Sequence, residues 1–264
     1  MIAAALMPLA MQAALPQPGV PQTSAPPPRT TAQARLDDCL ILAASDATSA
    51  LAEAASWQEG NSGTELSYAL QCQGQAMVFL LRWDAAANAF IAARDARPDY
   101  AHSARARLGT MAGNALLASG DPEGALATLD AAREDALAAS DGAMAGGIDV
   151  DRSRALVALE RLPDAAETLE RARQAAPQNP QGWLLSATLA RRQGDMPRAD
   201  SWIGTALALD PSNLDVLLEA GLVSALLGRD DRAREYWRAI GSLDSASPQA
   251  ATARDYLAQL DGLQ

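Results

Sequence analysis

A short pattern centred on alanine returns five times along this chain, and a sequence that copies itself in this way buries its apolar side chains by stacking each copy on the next. Gly74, Ala86, Phe90, Ala93 and Pro98 recur in register as Gly113, Ala125, Leu129 and Ala132; Gly120 is added at the turn, and Leu137 stands where the closing proline is lost. The third copy has Ala165, Leu169, Ala172 and Pro177, with Leu162-Pro163-Asp164 at its turn. In the fourth, the clearest, the positions are Trp183, Ala187, Gly194, Ala199, Ile203, Ala206 and Pro211. Leu217, Gly221, Gly228, Ala233 and Trp237 make the fifth, again without the proline.

Composition says what the copies are made of. Only two phenylalanines and four tyrosines are present in 264 residues, yet 49% of the chain is hydrophobic, so alanine must do much of the packing. Alanine has the highest helix propensity and lets helices approach closely, which predicts an all-α fold. Glycines 74, 113 and 221 are expected where the two helices of a pair come closest, and Phe90, Leu129, Leu169, Ile203 and Trp237 are expected to fill the space between successive pairs. Helix starts agree: Asp121-Pro122, Asn179-Pro180 and Ser247-Pro248 each put a capping side chain before a proline at the first helical position.

These positions resemble the tetratricopeptide repeat, whose pattern of about 34 residues runs W-x2-L-G-x2-Y, then A-x3-F, then P. The resemblance covers Ser67 to about Ser247 and implies an α-solenoid of helix hairpins. The corresponding division is a degenerate N-terminal helix pair over 31–64, repeats at about 67–100, 106–139, 146–179, 180–213 and 214–247, and a capping helix over 248–260 with Ala251, Tyr256, Leu257 and Leu260 on its inner side. Two departures interrupt the register: five residues before Ala106, and Ser140 to Ala145, expected to bulge as a loop.

Ahead of the repeats, residues 1–15 form an apolar run ending in small residues at Ala13 and Ala14, which reads as an export signal. Neither Lys nor Arg precedes Arg29, so a disordered or buried N-terminal helix stands as the other reading. Residues 16–30 carry six prolines among Gln, Ser and Thr and read as an extended tether; a docking ligand is the alternative. Cys39 and Cys72 are the only cysteines, and the implied topology sets them side by side, as a disulfide in an exported chain or as two buried thiols in a reducing compartment. Arginine-only cations and abundant alanine fit a GC-rich bacterial genome, and together these features point to the periplasm, with a cytoplasmic adaptor, or an accessory subunit of an enzyme complex, as the alternatives.

A net charge of −11 argues against nucleic acid, and once a signal is removed no segment is expected to insert stably in a membrane. All 21 cations are arginine, which removes lysine-based chemistry. The sole histidine, His102, is expected in a solvent-facing loop, and acidic pairs such as Glu134-Asp135 are expected on solvated faces. No catalytic motif, metal site or cofactor is anticipated. The resemblance instead implies an inner groove lined by the first helix of each pair, here Tyr68, Gln71, Gln75, Arg107, Thr110, Asn114, Arg154, Gln181, Leu184, Thr188 and Arg191. Such a strip fits a protein or peptide partner, with Arg107, Arg154 and Arg191 as carboxylate anchors or as mere solubilising charges.

Overall fold

The computed structural model describes residues 30–262; the apolar run and nearly all of the tether lie outside them. Among the described residues there are thirteen helices and no strand. They pair in sequence: α1 (Thr31–Ser45) with α2 (Ala47–Gln58), α3 (Gly63–Phe79) with α4 (Trp83–Asp95), and α5 (His102–Ser119) with α6 (Pro122–Ala138). Next come α7 (Gly142–Ala158) with α8 (Leu162–Ala175), α9 (Pro180–Arg192) with α10 (Met196–Leu209), and α11 (Leu214–Leu226) with α12 (Asp230–Leu243). The last helix, α13 (Pro248–Gly262), rests on α11 and α12.

Each hairpin from the second to the last closes on a residue in the left-handed conformation. Gly120, Gly194 and Gly228 take it without a Cβ penalty, whereas Leu81 (φ 56°) and Glu160 (φ 59°) hold it with one. Side-chain caps set the starts: Asp121 accepts the Gly124 N–H at 2.9 Å, Asn179 that of Gln181 at 3.0 Å, and Ser247 that of Ala250 at 3.1 Å.

Within a hairpin, a large side chain of the second helix fills the space left by a small residue of the first. A Cβ on Gly74 would lie 2.5 Å from Phe90 Cε1, and one on Gly113 would lie 2.5 Å from Leu129 Cγ; Gly221 faces Trp237 in the same way. The large residues therefore plug their own hairpin first and reach the next from there. Phe90 also packs with Ala112 and Ala115 of α5, and Leu129 with Ala145 and Ile148 of α7. Full burial of a leucine such as Leu129 contributes about 1.5–3 kcal/mol.

Three expectations are corrected here. Ser140–Ala145 does not bulge: Ser140 turns at φ 58°, Asp141 accepts the Met144 N–H at 2.9 Å, and α7 begins at Gly142. Continued helical bonding is favoured because the extra turn packs, with Ala145 buried and the bare backbone of Gly146 against Ala176. His102 likewise is not in a loop but opens α5, which absorbs part of the extra residues before Ala106. At the C-terminus Ala250 and Ala253, not Ala251, are the buried alanines of α13, while Tyr256, Leu257 and Leu260 pack beside them.

The odd-numbered helices set the curvature. α1 touches α3, α5 touches α7, α7 touches α9, α9 touches α11 and α11 touches α13, whereas successive even-numbered helices lack comparable contact. Helices that approach closely lie on the inside of a bend, so the odd set lines the concave side. At the N-terminal end, Cys39 of α1 and Cys72 of α3 are joined as a disulfide with Cα atoms 6.0 Å apart, while Arg35 stacks 4.6 Å over Trp57 of α2.

Candidate functional site: the concave trough

Three linked depressions run along the odd helices. The first, with about 720 Å³ of free space open to solvent, lies between α1, α3 and α5 and is lined by Tyr68, Gln71, Arg97, Arg107 and Met111 among others. It shares Arg107 and Met111 with a second depression of about 940 Å³ between α5, α7 and the start of α9. Here the floor is Met111, Met144, Gly147, Ile148 and Val150, and the rim is Arg107, Thr110, Asn114, Asp151, Arg154 and Gln181. Arg154 leads into a third, of about 560 Å³, floored by Val157, Leu169, Leu185 and Leu189 and rimmed by Thr188 and Arg192.

Gly147 gives the middle depression its depth. A Cβ built there meets nothing within 4 Å, in contrast to Gly74, Gly113 and Gly221, so this glycine faces the trough and not a neighbouring helix. The apolar floor was missed in the sequence, where the strip read as polar. Gly146-Gly147 was the visible signal, because two glycines inside a helix destabilise it relative to alanine unless close packing or open space is wanted.

Of the eleven residues expected in the groove, Tyr68, Gln71, Arg107, Thr110, Asn114, Arg154, Gln181 and Thr188 line the depressions. Leu184 does not: it is 5% exposed and packs with Ala187 and Ile203 in the core of the fourth repeat's hairpin, because its place on α9 turns it toward α10. Gln75 is half-buried on α3 and borders none of the three. The three arginines are not equivalent. Arg191 is held by Glu219 of α11 at 2.6 and 3.1 Å, and Glu219 is itself only 7% exposed, so this fork joins two inner helices. That bond, outweighing burial, raises the Arg191 guanidinium above its ordinary pKa.

Arg154 pairs with Asp151 one turn away and reaches Gln181 of α9 at 3.4 Å. Asp151 in turn accepts from Asn114 of α5 at 3.1 Å. Arg107 is exposed and makes no hydrogen bond or ion pair among the described residues. With Arg192 of the third depression, likewise exposed and without a hydrogen bond or ion pair among the described residues, it is one of the two cations in the trough left available to an incoming carboxylate.

Behind the trough, buried carboxylates stitch neighbouring hairpins. Asp149, 1% exposed, is held by Arg133 at 2.9 Å and Arg152 at 2.6 Å. Asp135, expected on a solvated face, is 8% exposed and takes Arg94 at 2.9 Å, His102 Nδ1 at 3.1 Å and Arg105 at 3.4 Å. Burial pushes its carboxyl up, but the hydrogen bonds from His102 and Arg94 and the charges of Arg94 and Arg105 outweigh that, and the group sits below the usual carboxylate range. The carboxylate beside His102 is thus committed to two guanidinium groups as well as to the ring, an arrangement that holds helices together. Among the described residues no cluster of three or more His, Cys, Asp or Glu is placed to hold a metal, and no helix is long and apolar enough to cross a membrane.

Helix hairpins stacked into an open superhelix with a lined inner face make a repeat scaffold of the kind that binds other proteins. The tetratricopeptide repeat family's sequence profile matches residues 150–203, which span the second half of α7, all of α8 and α9, and the first half of α10. Solved structures share the fold. PilW, a widely conserved type IV pilus biogenesis factor, superposes with a TM-score of 0.66 at 18% identity, covering 85% of this chain and 99% of that one. PilF of Pseudomonas aeruginosa gives 0.63 at 16% identity over 87% and 100%, and a thermophilic repeat protein of Thermus thermophilus gives 0.58 at 19% over 74% and 98%. No curated protein sequence matches the chain. The profile identifies tetratricopeptide repeat sequence at residues 150–203, and the described helices as a whole form the same kind of all-α repeat superhelix.

Proposed function

We propose that the chain is a non-catalytic interaction module that holds a peptide or a segment of a partner protein in its concave trough, and that it does so in the bacterial cell envelope. The continuous trough carries the first half of this reading. Its apolar floor, where Met111 and Met144 are partly exposed, releases water when covered, and its rim of amides and guanidinium groups can pair with a peptide backbone and with carboxylates. The Cys39–Cys72 bridge, the apolar run at 1–15 and the proline-rich 16–30 segment support the envelope.

A photo-crosslinking benzoyl-phenylalanine placed at Asn114 in the trough, and separately at the exposed Glu167 of α8, tests the binding face in cells. A discrete crosslinked product from position 114, absent from position 167 and lost when Gly147→Leu fills the trough, is expected. Equal products from both positions, or one that Gly147→Leu leaves unchanged, would overturn the trough as the binding face. For the compartment, alkylation of freshly denatured protein with a maleimide polymer should label neither cysteine until a reductant is added; two reactive thiols before reduction contradict the envelope assignment.

A further inference from the structure

The second and third depressions are matched sockets, and their chemistry narrows what fills them. Each has an apolar floor: Met111, Met144 and Ile148 in one, Val157, Leu185 and Leu189 in the other. Each takes a cation from its rim. Arg107 stands beside the first, Arg192 beside the second, and Arg154 belongs to both. Arg107 and Arg192 make no hydrogen bond or ion pair among the described residues. Among the described residues lining the two sockets the one carboxylate is Asp151, already occupied by Arg154 and Asn114; Asp37 lines the neighbouring first depression. On a protein with a net charge of −11, such a cluster of cations around two oily sockets is a local reversal of the molecule's own field.

Resting on the trough as the binding face, we infer that these sockets take two bulky apolar side chains of one partner segment, with an aspartate or glutamate between or beside them. The sockets lie between successive inner helices. Packed helices stand about 8–10 Å apart, and a polyproline II segment, with three residues per turn and a rise of about 3.1 Å, brings every third side chain to the same face about 9 Å apart, so the two apolar side chains are about three residues apart in such a segment. Carboxylates next to them meet Arg107 and Arg192, whose planar forks suit a carboxylate better than a point charge would. A basic segment would set like charges together in the same place.

Gly147 makes the inference testable without harming the fold. Leucine there raises helix propensity, meets no neighbouring atom within 4 Å at its Cβ, and extends into the first socket. Random dodecapeptides displayed on phage are selected in parallel on the full chain, on Gly147→Leu and on Arg107→Glu, with circular dichroism and a melting curve checking each variant. Clones enriched on the wild type and depleted at least about tenfold on Gly147→Leu should carry two large apolar residues about three positions apart with an acidic neighbour, and Arg107→Glu should deplete the same clones. Socket-dependent clones that are basic, or that lack the apolar pair, would overturn the inferred chemistry while sparing the trough. If no clone distinguishes the wild type from Gly147→Leu or Arg107→Glu, the trough reading itself falls, and this inference with it.

Discussion

Phe90 occupies the space that a side chain on Gly74 would need: a Cβ there would lie 2.5 Å from Phe90 Cε1 and 2.6 Å from Cδ1. Alanine ordinarily stabilises a helix relative to glycine by about 1 kcal/mol. At this position overpacking wins, because Phe90 is 1% exposed and has no free volume to retreat into. Gly74→Ala is expected to destabilise the chain by about 1–3 kcal/mol in urea unfolding, the usual range for forcing extra atoms into a filled core. No loss, or a gain, would show that α3 and α4 are not pressed together as described.

Asp135 predicts a pH dependence with a definite sign. Its folded-state carboxyl is depressed, so the stability it contributes is complete above the unfolded value near about 3.9 and is lost as pH falls through the still lower folded value. Replacing it with alanine leaves Arg94 and Arg105 without their shared counter-ion and should cost about 3 kcal/mol near neutral pH. The gap between wild type and Asp135→Ala should narrow as denaturation is measured at successively lower pH below about 4. A gap that widens on acidification contradicts the assigned network.

Arg191 and Arg107 should behave as opposites. Arg191→Ala strands the buried Glu219 and should lower stability by about 3 kcal/mol, with the loss felt where α9 meets α11. Arg107→Ala removes an exposed side chain without a partner and should change stability by no more than about 0.5 kcal/mol. Thermal melts of the two variants side by side would separate these roles, and equal losses would refute them.

Reducing the Cys39–Cys72 bridge should loosen the N-terminal cap before anything else. The bonded residues are 33 positions apart, a loop whose closure is worth about 3–4 kcal/mol in the chain-entropy account. Hydrogen exchange is expected to speed up in α1 and α2 on reduction while α9 to α12 stay protected, since each hairpin leans chiefly on its neighbours. Uniform acceleration along the whole chain would mean that the solenoid unfolds as one unit.

Much of the architecture was legible beforehand for a simple reason. Gly74, Gly113 and Gly221 each precede a large residue by sixteen positions, and that spacing is set by local helix geometry and turn length, which the chain writes in its own order. Capping residues such as Asp121, Asn179 and Ser247 act on neighbours two or three positions away, so they too could be read directly. The trough was legible only as a list of positions. Eight of the eleven line it, but the pattern could not tell that Leu184 turns toward α10, that Arg191 is spoken for by a carboxylate 28 residues later, or that Glu134 and Asp135, adjacent in sequence, differ in that Asp135 is drawn inward by Arg94 and Arg105.

By itself, then, the sequence determined the hairpins, their order and the small-to-large contacts inside them, because these depend on residues close together along the chain. Which arginines remain available, where the oily sockets open and which carboxylates are buried was decided only when hairpins stacked. Those properties arise between side chains tens of residues apart, where the cost of leaving a charge unpaired or an apolar surface wet is set by whichever neighbour the superhelix brings alongside.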